Sequence, residues 1–499
     1  MEHILSIDVG TTSVKVGIFG IDGRLKAIST QEYSLLTPSS NMVELPADIY
    51  WEALKKGIRE VLKESKLHPE SIVALSISSQ GESLVCIDKK GKVLRNIIVW
   101  LDNRAIAESS EIDKRFPKEI LYKVTGLPEM SPMWPASKIL WLKKNEPDVF
   151  NHTFKFLIIK DYIIWKLTGK ISTEPTISSS TAYLRLKEMN WWDEMLDFIG
   201  IKEDKLPPIF SSYETVGSIS SDASRELGLS RKTKVIAGSM DQMAAALGAG
   251  NIEPGVITES TGTALAVVAC VDKPTFDPQR RIPCAPHCVP GKFVLMPYSE
   301  TSGIVLRWFR DTFGTNDKGR KENYDALMKL AKTVPAGSEG LLALPHFTGT
   351  FCPDFNPEAR GAFIGISFNH KRAHFVRALV ESVSFMLNEN IELLKDLGIK
   401  VERVKSLGGA AKSDFWLQIK SDVLNLPVDL PKCSEAASLG AAILAGVGAK
   451  VYKSVDDAVK IAVSTKKTFV PNPKNVAVYQ EVYQNYLDLY QKLYGKISS

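Results

Sequence analysis

Apolar residues run almost unbroken through HILSIDV (residues 3–9) and resume, rich in β-branched side chains, in VKVGIFGIDGRLKAIST (14–30). Between them sits GTTS. The pattern predicts two strands joined by a tight turn, with IDG (21–23) marking the next one. Over ADIYWEALKKGIREVLKES (47–65) the apolar positions change to a helical period. SIVALSISSQGESLVCID (71–88) returns to strand character and is broken by SSQGES. Strands alternating with amphipathic helices predict an α/β fold.

The stretch LGAGNIEPG (247–255) is glycine-rich and holds a proline, which suits a junction. Two domains are therefore expected, residues 1–246 and 247–499. VITESTGTALAVVACV (256–271) repeats the opening design, with ESTGTALAV echoing DVGTTSVKV. Two such hairpins half a chain apart predict a duplicated domain whose bends face each other across a central cleft. VKSLGGAAKSDFWLQIKSDVLNLPVDL (404–430) reads strand, Gly-Gly turn, helix, strand. SEAASLGAAILAGVG (434–448) reads as a small-residue helix that approaches its neighbours closely. Near the end, Tyr479, Tyr483, Tyr486 and Tyr490 recur at helical spacing and predict a packing stripe.

Composition adds limits. A chain of 499 residues is too long for one core and suggests two to four domains. The 44% hydrophobic and 24% charged residues are ordinary for a globular protein. Net charge is +5 with no basic block or acidic tail, which speaks against a nucleic-acid partner. No apolar stretch approaches the ~20 residues of a membrane span, and the first residues are too acidic for a signal peptide. The six cysteines form no framework, so a cytoplasmic protein is expected. CAPHC (284–288) encloses His287, but a zinc site needs a second pair and only Cys270 offers itself. A structural segment is expected there.

The opening turn carries chemistry. Gly10 admits positive φ and close approach of an anion. Successive N–H groups of such a turn form an anion-binding concavity. Thr11, Thr12 and Ser13 add hydroxyls, and Lys15 adds a positive charge. Asp8 repels phosphate unless Mg²⁺ or its water lies between them. The set suits a metal nucleotide, although a plain hairpin with polar turn residues accounts for the same letters. No G-x-x-x-x-G-K-[ST] run occurs, and LAGVGAK follows a helix, so P-loop and Rossmann sites are excluded.

Six ordered motifs together resemble the FGGY family of carbohydrate kinases, in the actin-like ATPase superfamily, over nearly the whole chain. DVGTTSVK resembles its first phosphate hairpin and STGTALAV its second. SPMWPASKILWLKKN carries Lys138, Ile139, Trp141 and Asn145 of one signature, and FNPEARGAFIGIS with HFVRALVES resembles another. GSMDQMAAALGAG resembles the catalytic segment and SLGGAAKSDFWLQIKSDVLNLPV the adenosine segment. The resemblance implies two actin-like (ribonuclease H-like) domains, ATP and Mg²⁺ as cofactors, a small sugar or polyol as partner, and possible homodimers.

It also implies roles. Asp241 would be the general base, though Asp at that place equally caps the following helix. Asp8 and Asp241 would organise Mg²⁺, Asp8 through water. Gly10, Thr11, Thr12, Ser13, Lys15, Gly262 and Thr263 would hold phosphates. Gly408, Gly409, Ala410 and Ser413 would meet the adenosine, with Ser413 standing where some members carry Asn. Gln80, Gly81, Glu82, Trp100, Asp102, Met133 and Gln242 would join Asp241 around the sugar. Gly81 replaces the arginine of glycerol kinases and is expected to leave space. This favours a ketose such as xylulose or ribulose, with a glycerol, polyol or gluconate-type kinase as alternatives. An actin-like ATPase without a sugar substrate is the rival from another class.

Overall fold

The computed structural model describes residues 2–314 and 323–495, which form two compact α/β units. The first comprises Met1–Ile252, Asp272–Val294 and Glu435–Ser464; the second comprises Glu253–Val271, Leu295–Ser434 and Thr465–Ser499. The chain does not divide once near residue 247. It returns twice to the first unit, because that unit's sheet takes a covering helix from residues 436–448. No described helix is long and apolar enough to cross a membrane.

The first unit is built on a six-stranded sheet, in the order Thr215–Ser218, Lys234–Met240, Ile72–Ser79, His3–Val9, Ser13–Gly20, Leu25–Glu32. His3–Val9 and Ser13–Gly20 form the expected antiparallel hairpin, while His3–Val9 and Lys234–Met240 flank Ile72–Ser79 in parallel. His3–Val9 is buried almost throughout, which explains its unbroken apolar run. Helix Ala47–Ser65 packs on one side through Tyr50, Trp51, Leu54, Ile58 and Val61. Ile72–Ser79 ends in the 80–83 turn, and Leu84–Ile87 continues into a second, five-stranded sheet.

Helix Ala436–Gly448 lies against His3–Val9, Ile72–Ser79 and helix Asp241–Gly248. Its small residues let backbones meet. A Cβ on Gly440 would lie 1.8 Å from the Ala244 carbonyl oxygen, and one on Gly248 would lie 1.9 Å from that of Ala436. Each glycine thus admits the other helix, and the pair sets where Asp241 begins its helix. Nearby, the CAPHC segment serves packing: His287 Nε2 meets the Asn251 carbonyl at 2.8 Å, and the Cys288 thiol donates to the Met243 carbonyl.

The second unit repeats the plan. Gly255–Thr261 and Leu265–Val271 form a hairpin, Val401–Gly408 runs parallel to the first of these, and Val428–Pro431 and Thr465–Phe469 extend the sheet. Helices Arg372–Asp396 and Asp414–Leu424 cover it, and Pro473–Tyr494 packs against both helices. The tyrosine stripe packs as expected, and its hydroxyls also donate to carboxylates: Tyr479 to Glu381, Tyr483 to Glu392, Tyr486 to Glu389 and Tyr490 to Asp354.

Replacing Gly440 by Val forces a side chain into the Ala244 backbone. Overpacking of this kind costs about 1–3 kcal/mol. Thermal unfolding followed by circular dichroism is expected to show a Tm lower by roughly 2–4 °C per kcal/mol lost. An unchanged Tm would contradict the close helix contact.

Candidate active site

Parallel register gathers the first unit's acidic residues. Asp8 lies opposite Ser78, and Val9 and Met240 both lie opposite Ser79. The three strands therefore end together, delivering Asp8, the Gln80–Glu82 turn and Asp241 to one edge. Ligands of open α/β sheets bind outside such carboxyl ends. Asp241 is the first residue of its helix, with Met240 at the capping position. Its carboxylate accepts from the Gln242 N–H and does not cap the helix.

The 10–13 turn is held from several sides. The Gly10 N–H donates to the Ser13 carbonyl at 2.9 Å. The Tyr33 hydroxyl donates to the Gly10 carbonyl at 2.6 Å, and the Tyr33 N–H to that of Thr12 at 2.9 Å. Trp100 Nε1 donates to Thr11 Oγ1 at 2.9 Å, and the Thr12 side of the bend is exposed. Lys15, expected to face phosphate, instead pairs with Glu435 at 2.7 Å. That acid comes from the segment leading into helix Ala436–Gly448, so its arrival was not visible locally.

The 80–83 turn departs from expectation in one respect. Gly81 leaves no open space, since a Cβ there would lie 3.0 Å from Ser180 Oγ and 3.3 Å from Met240 Cε. Glu82 adopts φ 56° and is buried. Left-handed backbone costs a non-glycine residue about 1–2 kcal/mol. Lys138, fully buried, donates to the carbonyls of Glu82 and Val99 at 3.0 Å each and so anchors this turn. Gln80 donates through Nε2 to the Tyr50 hydroxyl, while its Oε1 is buried with no partner.

Asp102 also requires correction. It is wholly buried, and its two oxygens accept from Arg104 Nε and Nη2 and from the N–H groups of Val43 and Arg104. No acceptor position is left for a sugar hydroxyl. Trp100 stays half-buried beside the core, and Met133 lies half-buried in the turn before helix Pro135–Asn145.

In the second unit, Thr261 lies opposite Gly408, so both predicted bends again end neighbouring parallel strands. Gly408 has φ 79°, and a Cβ on it would lie 2.8 Å from the Thr261 carbonyl. A cavity of about 470 Å³ opens beside them, lined by Gly262, Thr263, Gly409, Ala410 and Ser413. Arg307, Tyr324 and Trp416 also line it and were missed from sequence. Ser413 Oγ accepts from the Trp416 N–H and caps helix Asp414–Leu424. Beneath the bend, the fully buried Lys420 donates to Glu259 at 2.6 Å and to Thr261 Oγ1 at 2.9 Å. Removing one partner of such a buried pair typically costs about 3–5 kcal/mol.

Charge accumulates at the first unit's edge. Burial pushes the Asp241 carboxyl up to about 7, and Asp8 and then Glu82 add to the rise. Burial also raises Asp8, against the Ser78 hydroxyl and Lys15, and raises Glu82, against Ser180 and Lys138. Lys138 is itself lowered to about 7 by burial. Burial dominates all three rises, and Asp8 and Glu82 further disfavour ionisation of Asp241, which suits a base working near neutrality and a site that gains from a cation.

Comparison with known proteins agrees with this layout. The family model described as the FGGY family of carbohydrate kinases, N-terminal domain, matches residues 3–248, and its C-terminal counterpart matches residues 258–449. The chain belongs to the FGGY family of carbohydrate kinases. It is 30% identical to a xylulose kinase of Bacillus subtilis over 99% of this chain and 97% of that one. It is 32% identical to a gluconokinase of the same organism over 89% and 87%. The crystal structure of ligand-bound xylulose kinase from Lactobacillus acidophilus superposes with a TM-score of 0.90 at 30% identity, covering 100% of both chains. The protein is thus an ATP-dependent carbohydrate kinase of the actin-like ATPase fold.

Ser180 lies in STEPTISSST (172–181), a hydroxyl-rich run that is almost entirely buried. Its only signal was the density of Ser and Thr around Glu174, whose carboxylate binds Thr176 and Ser212.

Asp241 is raised in the folded state, so folding is penalised as pH climbs from the unfolded carboxyl range to about 7. Asp241→Asn removes that penalty. The unliganded variant is expected to melt higher than the wild type at pH 8, with the gap closing below about pH 4, where both carboxyls are protonated. Differential scanning calorimetry across that range checks the sign.

Proposed function

We propose that this kinase transfers the γ-phosphate of ATP to a hydroxyl of a neutral ketose, D-xylulose being the leading candidate. The observation that carries this reading is the carboxyl pushed up to about 7 at Asp241, facing Asp8 and Glu82. As the sugar oxygen attacks the γ-phosphorus, Asp241 takes its proton. The new P–O bond forms, the bond to the β-bridging oxygen breaks, and ADP leaves. Glu82 and the free Oε1 of Gln80 accept sugar hydroxyls, with Gln242 beside Asp241.

Thr11, Thr12, Ser13 and the Gly10 backbone take phosphate oxygens, and Gly262 and Thr263 do so in the second unit. The cavity beside Gly409, Ala410 and Ser413 takes the adenosine. The residues present fit Mg²⁺. Asp8 and Asp241 are paired acids whose ionisation a cation favours, and no cluster of three or more His, Cys, Asp or Glu side chains among the described residues forms a cage. Mg²⁺ typically keeps waters and binds through few carboxylates plus phosphates. When bound, it supplies neutralisation of charge on the transferring phosphate.

Sequence identity alone does not separate xylulose from gluconate, since relatives of both names stand near 30%. Charge favours the neutral sugar. A carboxylate substrate would meet Asp8, Glu82 and Asp241, while Lys138 is turned to two carbonyls and Arg104 is held by Asp102 and Glu44. Glycerol is disfavoured by Gly81, which offers no clamp for a triol. Coupled ADP release with D-xylulose, D-ribulose, D-gluconate and glycerol tests the reading. D-Xylulose is expected to lead, with Asp241→Ala losing at least ~10²-fold in kcat. Gluconate turnover above that of every ketose would overturn it.

A further inference from the structure

Trp100 stands beside the residues proposed to bind the sugar, yet its one polar atom points elsewhere. Its Nε1 donates to Thr11 Oγ1 at 2.9 Å, joining it to the 10–13 turn across 89 residues of chain. Its backbone is fixed as well. The Trp100 N–H donates to Ser83 Oγ at 3.1 Å, and the preceding carbonyl, Val99, takes Lys138 Nζ. Lys138 also holds the Glu82 carbonyl, so the backbone segments that carry Glu82 and Trp100 share one buried anchor.

A second line runs in parallel. Gln80 Nε2 donates to the Tyr50 hydroxyl at 2.9 Å. The Tyr50 and Tyr33 rings meet edge to face at 5.1 Å, and the Tyr33 hydroxyl donates to the Gly10 carbonyl at 2.6 Å. Both lines start at the 80–100 wall and end on the turn.

We infer that Trp100 and Tyr33 are positioning residues for the phosphate turn, struts that transmit the state of the sugar wall to Thr11 and Gly10. The inference rests on the proposed phosphate role of that turn. A hydroxyl that accepts from an indole N–H keeps its own proton for another acceptor. Trp100 therefore leaves the Thr11 O–H to donate to a phosphate oxygen. Tyr33 occupies the Gly10 and Thr12 carbonyls, which otherwise oppose an anion.

Trp100→Phe keeps an aromatic wall and removes the donor; Tyr33→Phe does the same remote from the sugar. For each, KM for ATP is expected to rise roughly three- to tenfold, the span of one lost hydrogen bond, with KM for the best sugar within twofold. In a Thr11→Val background, Trp100→Phe is expected to add less than twofold, because the two share one bond. A wall role alone would instead raise KM for sugar and leave ATP untouched, which overturns the inference, as does full additivity with Thr11→Val. A sugar-free arm stands apart from substrate identity. MgATP is expected to raise the Tm of the wild type more than that of either variant, and equal shifts in all three also overturn it.

Discussion

The register of three parallel strands underlies everything the first unit does. His3–Val9, Ile72–Ser79 and Lys234–Met240 are aligned so that Asp8, the 80–82 turn and Asp241 emerge at one edge. A slip of one residue in any strand would turn its side chains to the opposite face. Burial of these strands on both sides makes such a slip costly, so the apolar core fixes the positions of the acids. The same register recurs at Thr261 and Gly408 in the second unit, with a glycine–threonine bend in place of an acid.

Burying Asp8, Glu82 and Asp241 carries a free-energy cost, visible in their raised carboxyls. The fold offsets it with rigid packing. Gly248 and Gly440 bring two helices into backbone contact behind Asp241, and Lys138 ties the left-handed Glu82 turn to the wall at Val99. The Asp241 carboxyl, raised to about 7, lies in the range that its proposed role as base requires, and phosphoryl transfer asks for little more than position and charge neutralisation.

Much of the fold was legible in the residues. The hairpins, the Gly-Gly turn, the small-residue helix and the tyrosine stripe are all present, since each depends on local period and turn chemistry. Asp102, Lys15 and Gly81 were misread for one shared reason. Beyond Arg104, which holds Asp102 from two residues away, each meets a partner distant in sequence: Asp102 the Val43 backbone, Lys15 the acid Glu435, and Gly81 the side chains of Ser180 and Met240. No local pattern announces such partners.

The sequence by itself determined the fold class, the family and the two glycine–threonine bends, because hydrophobic period and glycine placement act over a few residues. Only the tertiary structure decided which polar groups remain free to meet a ligand. Asp102 and Lys15 are paired with internal partners, whereas the Oε1 of Gln80 has none and burial leaves the Asp241 carboxyl raised. That distinction depends on desolvation and on hydrogen bonds between distant segments, which exist only once the chain has closed on itself.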